Sequence, residues 1–355
     1  MGFTRGAETW AASYLTNALR TALLPKPRHI WLLIADHFEP FWNGADEATA
    51  RARVKTWSEG WPKIARRHQD SDGAPAKYTF FYPEEEYQPE HIDALASMVR
   101  DGIADVEIHL HHDGESADAF VDRMSRFRDV LQRRHGLLHQ HDGVVKFAFI
   151  HGNWALDNSR ADGRYCGLNN ELTLLRQLGC YADFTLPSAP SDTQTRTVNR
   201  IYWAVDNPLE AKSHDTGLPA VPGGGRRGDL LMVPGPLAIR FAQDGRLRPR
   251  LDTGELAGQD PPTRDRVRLW LRHAPRLGEH VFIKLFAHGA QERHSRALLE
   301  QHLNTLFTLV AEESRSAGCT FHFASPWQVF LQITSLLGVR DRPIDNRAEV
   351  LPECR

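Results

Sequence analysis

Apolar and polar positions along the chain follow two rhythms, short continuous apolar runs and longer stretches with a helical repeat. Residues 29–35 (His-Ile-Trp-Leu-Leu-Ile-Ala) form one such run, which ends in Asp36-His37-Phe38-Glu39-Pro40. A strand that is apolar throughout and polar only where it stops belongs in a parallel sheet covered on both faces. The same reading predicts strands over 77–82, from 106, and over 144–150, 180–186, 280–286 and 320–324. Helical periodicity predicts helices over 7–24, 47–67, 89–100, 116–135, 169–178, 263–272, 291–316 and 326–337. That makes about seven strand–helix units in one direction, which fits a distorted, seven-stranded (β/α) barrel better than an open sheet.

The rhythm breaks over 187–262, a stretch rich in Pro, Gly, Asp and Arg with strand-like pieces only at 200–205 and 229–233. It holds too few apolar residues for a core of its own and reads as a long loop or hairpin insertion. The organisation expected is an N-terminal helix (1–28), one barrel domain (29–337) and a polar tail (338–355). Trp10, Tyr14, Leu15, Leu19 and Leu23 recur at helical spacing, which predicts that the first helix packs on the domain.

Composition narrows the function classes. With 43 Lys and Arg against 45 Asp and Glu, the formal charge of −2 offers no footprint for nucleic acid. No stretch reaches the ~20 apolar residues that span a bilayer, and no signal peptide is evident, so a cytoplasmic location is expected. Cys166, Cys180, Cys319 and Cys354 form no CxxC pair and read as free thiols. Cys166 has no base beside it in sequence, which argues against a thiol nucleophile.

Chemistry gathers where the predicted strands stop. The densest case is Val106-Glu107-Ile108-His109-Leu110-His111-His112-Asp113-Gly114-Glu115, which breaks at an Asp-Gly turn. Strand parity puts His109 and His111 on one face and His112 on the other. Other ends carry Asp36-His37, Glu84–Glu86, His151-Gly152-Asn153-Trp154, Asp183 and His288-Gly289. In a barrel these ends converge on one rim. A His and carboxylate set there suits a borderline divalent cation such as Zn2+, with a position left for water. Glu84–Glu86 reads as a solvated acidic turn, Asp183 orients a ligand or bonds backbone, and Trp42 and Trp154 either stack on a sugar or pack.

Five segments together resemble the polysaccharide deacetylases of the glycoside hydrolase/deacetylase barrel superfamily. They are Asp36 after its apolar strand, Glu107-Ile-His-Leu-His111, Tyr181-Ala-Asp183 after Leu-Gly, Leu231-Met-Val-Pro234, and Lys284-Leu-Phe-Ala-His288-Gly289. The order covers most of the chain, from about residue 29 to 324. The resemblance implies Asp36 as base and His37 as a metal ligand where the family has a second Asp. It implies His111 and Glu115 as further ligands, with His109 a competitor, and His288 as general acid. The family's Arg-Pro segment is replaced by His151-Gly-Asn-Trp154, so His151, Asn153, Trp154 and Asp183 are expected to contact substrate. The expected activity is metal-dependent removal of an N- or O-acyl group from a saccharide. The alternatives are a glycoside hydrolase using paired carboxylates, such as Asp36 with Glu84, Glu85 or Glu115, and a non-catalytic saccharide binder.

Overall fold

Strand pairing follows the parity set by the apolar runs. The computed structural model describes residues 6–241 and 249–339; the tail expected over 338–355 lies, from residue 340 onward, outside the described residues. The strands that build the sheet are β1 (His29–His37), β2 (Tyr78–Pro83), β3 (Ala104–Leu110), β4 (Val144–His151), β5 (Cys180–Asp183), β6 (Leu230–Met232), β7 (His280–Ala287) and β8 (Thr320–Phe323). Parallel ladders join them in the order β7-β1-β2-β3-β4-β5-β6. The protein is therefore an α/β fold with a parallel-rich, barrel-like sheet. Among the described residues no ladder joins β6 to β7. There the Gly235 backbone passes so close to Lys284 that a Cβ would lie 2.5 Å from the Lys284 carbonyl oxygen. The buried Lys284 ammonium also donates to the Leu186 carbonyl at 3.0 Å.

Two details differ from the sequence reading. Leu230–Met232, read as a strand-like piece inside an insertion, joins the parallel sheet beside β5; so short a run does not show which strand it pairs with. β8, expected as a full unit, pairs only with the first half of β1 (His29 to Leu32), because β2 takes over the pairing from Ala35. The remainder of 187–262 does contain hairpin pairing, between Ala238–Phe241 and Pro249–Asp252.

The helices around the sheet are α1 (Ala7–Ala22), α2 (Glu47–Ala65), α3 (Pro89–Arg100), α4 (Ala117–His135), α5 (Glu171–Gln177), α6 (Arg264–His273), α7 (Glu292–Ala297), α8 (Leu303–Ser316) and α9 (Pro326–Leu337). Even positions of β1 (Ile30, Leu32, Ile34) pack outward with Trp57, Trp61 and Ile64 of α2 and with Phe307 and Val310 of α8. Odd positions (Leu33, Ala35) face an inner core with Phe81, Ala148, Ile150, Leu231 and Phe282, against which α9 lays Val329, Ile333 and Leu337. Both tryptophans of α2 also anchor backbone. Trp57 donates to the Gly289 carbonyl at 2.7 Å and Trp61 to that of Ile103 at 3.0 Å. Truncating either to Ala is worth about 3–5 kcal/mol by cavity arithmetic. α1 docks through Trp10, which packs with Ala189, Val198 and Leu237, while Leu15, Leu19 and Leu23 stay exposed. No helix among the described residues is long and apolar enough to cross a membrane.

One polar residue sits deep in the inner face. Glu107 is fully buried and accepts from the Tyr181 hydroxyl and the Ala148 amide, both at 2.6 Å. Burial, reinforced by Asp105, pushes its carboxyl well above the usual range. A folded pKa above the unfolded one gives stability that is full below the ordinary carboxylate pKa and is lost as pH rises toward the folded value. The variant Glu107→Gln is therefore expected to fold and to lose less stability than the parent between about pH 5 and about pH 8. Denaturant melts across that range check this; parallel curves for the two proteins would remove Glu107 as the source.

Candidate functional site

The parity that builds the core also sorts the polar strand ends. At the end of β1, His37 points inward and Asp36 outward. His37 is buried beside the rings of His109 (centroids 5.0 Å apart), His288 (4.9 Å) and Phe286 (5.8 Å). Its Nε2 has no hydrogen-bond partner. Burial, aided by the neighbouring His288, holds this imidazole well below its ordinary pKa, so it is neutral.

Asp36 instead enters the helix-covered layer. Its two oxygens accept from the Gly289 amide at 2.6 Å and the Tyr78 hydroxyl at 3.0 Å. Burial pushes its carboxyl up to about 7 against those hydrogen bonds. A Cβ at Gly289 would meet Asp36 Oδ2 at 2.2 Å, so the turn after His288 is built around this carboxylate. Asp36 was expected to face the reacting atoms; its even position on β1 turns it toward α2 and the His288 turn.

Around His37 the inward ends form one cluster. His109 sets Nδ1 against the Ile150 carbonyl at 2.7 Å and turns Nε2 toward Glu39 Oε1 at 3.3 Å. His111 contacts Glu85 through Nδ1 at 2.5 Å and turns Nε2 toward the same Glu39 oxygen at 3.6 Å. Glu39, His109 and His111 each present a ligand atom within one metal-sized space, as do His37, Glu39 and His288. Burial would raise the carboxyls of Glu39 and Glu85, but hydrogen bonds to His109 and His111 respectively prevail and hold both below the usual range. His288 lies 3.7 Å from Glu255. Burial opposes its charge, yet Glu255, Glu39 and Asp36 outweigh burial and raise its pKa.

The remaining expected residues are distributed as follows. Trp154 and His288 line a cleft of about 780 Å³ together with Phe286, Glu255 and the segment from Pro187 to Asp192. Asn153 is exposed, and both it and Trp154 hold positive φ near 54°, an uncommon state for a bulky aromatic. Asp183 is buried, its oxygens bonded to the Thr185 amide and hydroxyl, and Thr185 in turn receives the His151 amide at 2.9 Å. Burial lifts the Asp183 carboxyl to about 6. His151 and Glu115 do not join the rim cluster. Glu115 sits 3.4 Å from His112 Nδ1 and 3.6 Å from Arg123, on the far side of the turn from His111, because four residues across an irregular turn keep no strand parity. His151 Nε2 lies 2.9 Å from His112 Nε2, in a buried pocket that includes Glu171. The sequence reading passed over Glu39 and set Glu85 aside as a solvated turn. Glu39 stands three residues beyond Asp36 and Glu85 two beyond β2, both within reach of the rim once the strands are aligned.

No protein-family model matches the chain, and no curated protein does. Among solved structures it is similar to the Xyl-CE4 domain of a multidomain xylanase from the hindgut metagenome of Trinervitermes trinervoides, at 12% identity over 86% of this chain and 91% of that one, with a TM-score of 0.36. It is also similar to 4-alpha-glucanotransferase from Thermococcus litoralis (8% identity, TM-score 0.44) and to an alpha-mannosidase from Enterococcus faecalis V583 (9%, 0.41). The match covers 87% of this chain in both cases but only 40% and 29% of those chains. At such identities and scores the likeness carries no inference about activity.

One contact makes the cluster testable without a ligand. A Cβ at Gly152 would fall 2.2 Å from the His111 ring, so only glycine lets β4 end this close to it. Gly152→Ala is expected to displace His111 and to cost about 1–3 kcal/mol through overpacking. A denaturant melt with the His111 imidazole followed by NMR reads both effects; an unmoved His111 signal would show that the contact does not constrain the ring.

Proposed function

We propose that this rim is the active site of a metal-dependent hydrolase that removes an N- or O-acyl group from a saccharide. The observation that carries the reading is the convergence of the His109 and His111 Nε2 atoms on one Glu39 oxygen, with each Nδ1 already engaged by Ile150 or Glu85. Imidazoles oriented from behind by a carbonyl or carboxylate, with the other nitrogen aimed at a shared point, are the arrangement that metal ligands require. His109, His111 and Glu39 would hold the ion, with His37 beside it. A divalent cation bound there supplies Lewis-acid polarisation of a carbonyl and acidifies water. Glu115, the ligand that the resemblance implied, is replaced in this role by Glu39.

The chain's own groups divide the proton transfers. His37, kept neutral, takes a proton from water as its oxygen forms the new bond to the acyl carbon. His288, kept protonated by Glu255, gives its proton to the saccharide nitrogen or oxygen as the old acyl bond breaks. Two titratable groups whose surroundings push their pKa values apart suit the opposite roles of base and acid. Asp36 acts through Gly289 by fixing the turn that aims His288, a positioning role. Trp154 offers a ring face to a sugar in the cleft. The choice of a saccharide rests on the motif resemblance and the choice of an acyl group on the metal-type cluster. Paired-carboxylate glycoside hydrolysis fits less well, since Asp36, whose carboxyl is raised far enough to donate a proton, is turned from the rim onto Tyr78 and Gly289, and Glu85 is held ionised by His111.

Purified protein is expected to carry a divalent metal, to release acetate from an acetylated oligosaccharide and to lose turnover with a chelator. His288→Ala should lower kcat by roughly 10²–10⁴ while leaving metal content intact. His109→Ala should remove rim metal and activity together. Activity should fall as pH rises through the raised His288 pKa, since the acid must be protonated. It should fall again in acid once His37 protonates, well below the ordinary histidine value. Full turnover in the chelated protein, or saccharide binding without turnover, would reject the hydrolase reading.

A further inference from the structure

A second group of ligand-type residues lies behind the rim and takes no part in the chemistry above. His112 follows the end of β3, His151 closes β4, Cys166 comes from the loop between β4 and α5, and Glu171 opens α5. All four are buried, with Cys166, His151 and Glu171 wholly inaccessible. We infer that these four side chains form a closed, structural site for a divalent cation, with zinc the ion that best suits two imidazoles, a thiolate and a carboxylate.

The geometry is that of a ligand set with its centre missing. His112 Nε2 lies 2.9 Å from His151 Nε2 and 3.1 Å from Glu171 Oε1, and His151 Nε2 lies 3.4 Å from the same oxygen. Cys166 Sγ is 3.4 Å from the other Glu171 oxygen. All four ligand atoms lie within 4.8 Å of one another. Tetrahedral zinc with ordinary bond lengths separates its ligand atoms by ~3.3–3.6 Å, so a small outward relaxation admits the ion.

With a single proton on each ring, hydrogen bonding around the group leaves the inward atoms in conflict. The His151 Nδ1 proton goes to the Gly152 carbonyl at 2.6 Å, so Nε2 is a lone pair. His112 Nδ1 faces Glu115 Oε2 at 3.4 Å, and neither atom has another partner. If Nδ1 carries the proton that Glu115 calls for, two imidazole lone pairs oppose each other at 2.9 Å. If Nε2 carries it, a lone pair faces the Glu115 carboxylate instead. A second proton on His112, donated to Glu171 Oε1 at 3.1 Å, would remove both conflicts, and so does a cation at the centre, which takes the two Nε2 lone pairs and leaves each Nδ1–H to its oxygen.

The sulfur is prepared for the same role. Backbone amides of Asn158 and Leu168 donate to Cys166 Sγ at 3.3 and 3.4 Å, while burial and the Glu171 carboxylate push the thiol well above its ordinary pKa, so a thiolate here calls for a cation beside it. A coordinated cation deprotonates a thiol outright. Glu171 has Oε2 fixed by the Asp157 amide at 2.6 Å, which leaves Oε1 aimed at the imidazoles.

The site's effect would be on the loop. Between β4 and α5 the chain passes through left-handed conformations at Asn153, Trp154, Asp157, Asn158 and Tyr165, each of which costs backbone energy outside glycine. An ion tying Cys166 and Glu171 to the ends of β3 and β4 would hold this loop, and with it Trp154 of the cleft. With four protein ligands there is no position for water, in contrast to the rim set, so its contribution would be to stability and alignment.

The full chain loaded with Co2+ gives a test that does not depend on the rim. A thiolate-to-cobalt charge-transfer band in the near ultraviolet is expected in the parent, retained in His109→Ala and absent in Cys166→Ser. Elemental analysis should show one equivalent of zinc fewer in Cys166→Ser than in the parent, whether or not the rim holds metal of its own. Because the parent band is read without any substitution, poor folding of Cys166→Ser leaves the test intact. Cobalt binding with no thiolate band, or equal zinc in the parent and a folded Cys166→Ser, would overturn the site and leave the hydrolase reading standing. Hydrogen exchange supplies the structural readout: chelation should deprotect residues 152–170 and leave β1 and β2 protected.

Discussion

Everything at the rim depends on the alternation of a strand buried on both faces. A shift of one residue moves a side chain from the interior to the helix layer, with no intermediate setting. At the end of β1 this separates Asp36 from His37: the carboxylate goes to Tyr78 and Gly289, the imidazole to His109 and His288. At the end of β3 the same alternation separates His109 from the outward Leu110. Beyond the last ladder residue His111 and His112 still diverge, one toward Glu39 and Glu85, the other toward Glu171. The two clusters of histidines and carboxylates are thus a consequence of strand parity continued for one turn past the sheet.

Electrostatics then differentiates groups of the same chemical type. Two imidazoles about 5 Å apart, His37 and His288, have opposite tendencies because only His288 has a carboxylate at its back. On His288 burial is the largest single influence, but the Glu255, Glu39 and Asp36 carboxylates together outweigh it, whereas on His37 burial is joined by His288 and prevails. Carboxylates divide in the same way. Glu39 and Glu85 stay ionised through contact with histidines, whereas Asp36, Asp183 and Glu107, shielded from water with neutral donors, move toward the protonated form. Location relative to the inward face decides which carboxyls carry charge to a ligand and which hold backbone in place.

Much of this was readable in the residues. The apolar runs located β1, β2, β4 and β7 closely, since long uninterrupted runs admit few alternatives, and parity alone distinguished His112 from His109 and His111. Residues 229–233 read as strand-like but were placed in an insertion because the stretch around them holds too few apolar residues for a core, and the pairing of Leu230–Met232 with β5 is a tertiary fact. Glu39 and Glu85 were missed because they follow strand ends in short irregular turns, where no periodic rule says which way a side chain points. Their signal was positional: each is a carboxylate two or three residues past a strand that ends at the rim. Assigning Glu115 by its spacing from His111 failed for the same reason, since an Asp-Gly turn intervenes.

Cys166 and Glu171 illustrate a different limit. In sequence Cys166 has no base beside it, and Glu171 is an ordinary first-turn helix residue. Neither stands out until the loop returns them to the ends of β3 and β4. That return is enforced by Gly152: its missing Cβ lets the chain pass against the His111 ring, and the next carbonyl-bonded ring back along β4, His151, then turns away from the rim. A side chain at position 152 would press on His111 in one cluster and shift the backbone that sets His151 in the other. The rim cluster and the cluster behind it are therefore in steric contact through one residue, Gly152, although they share no side chain. Disturbing the loop between β4 and α5 should reach the rim through Gly152 before it reaches it through charge, because the contact there is steric and short-ranged.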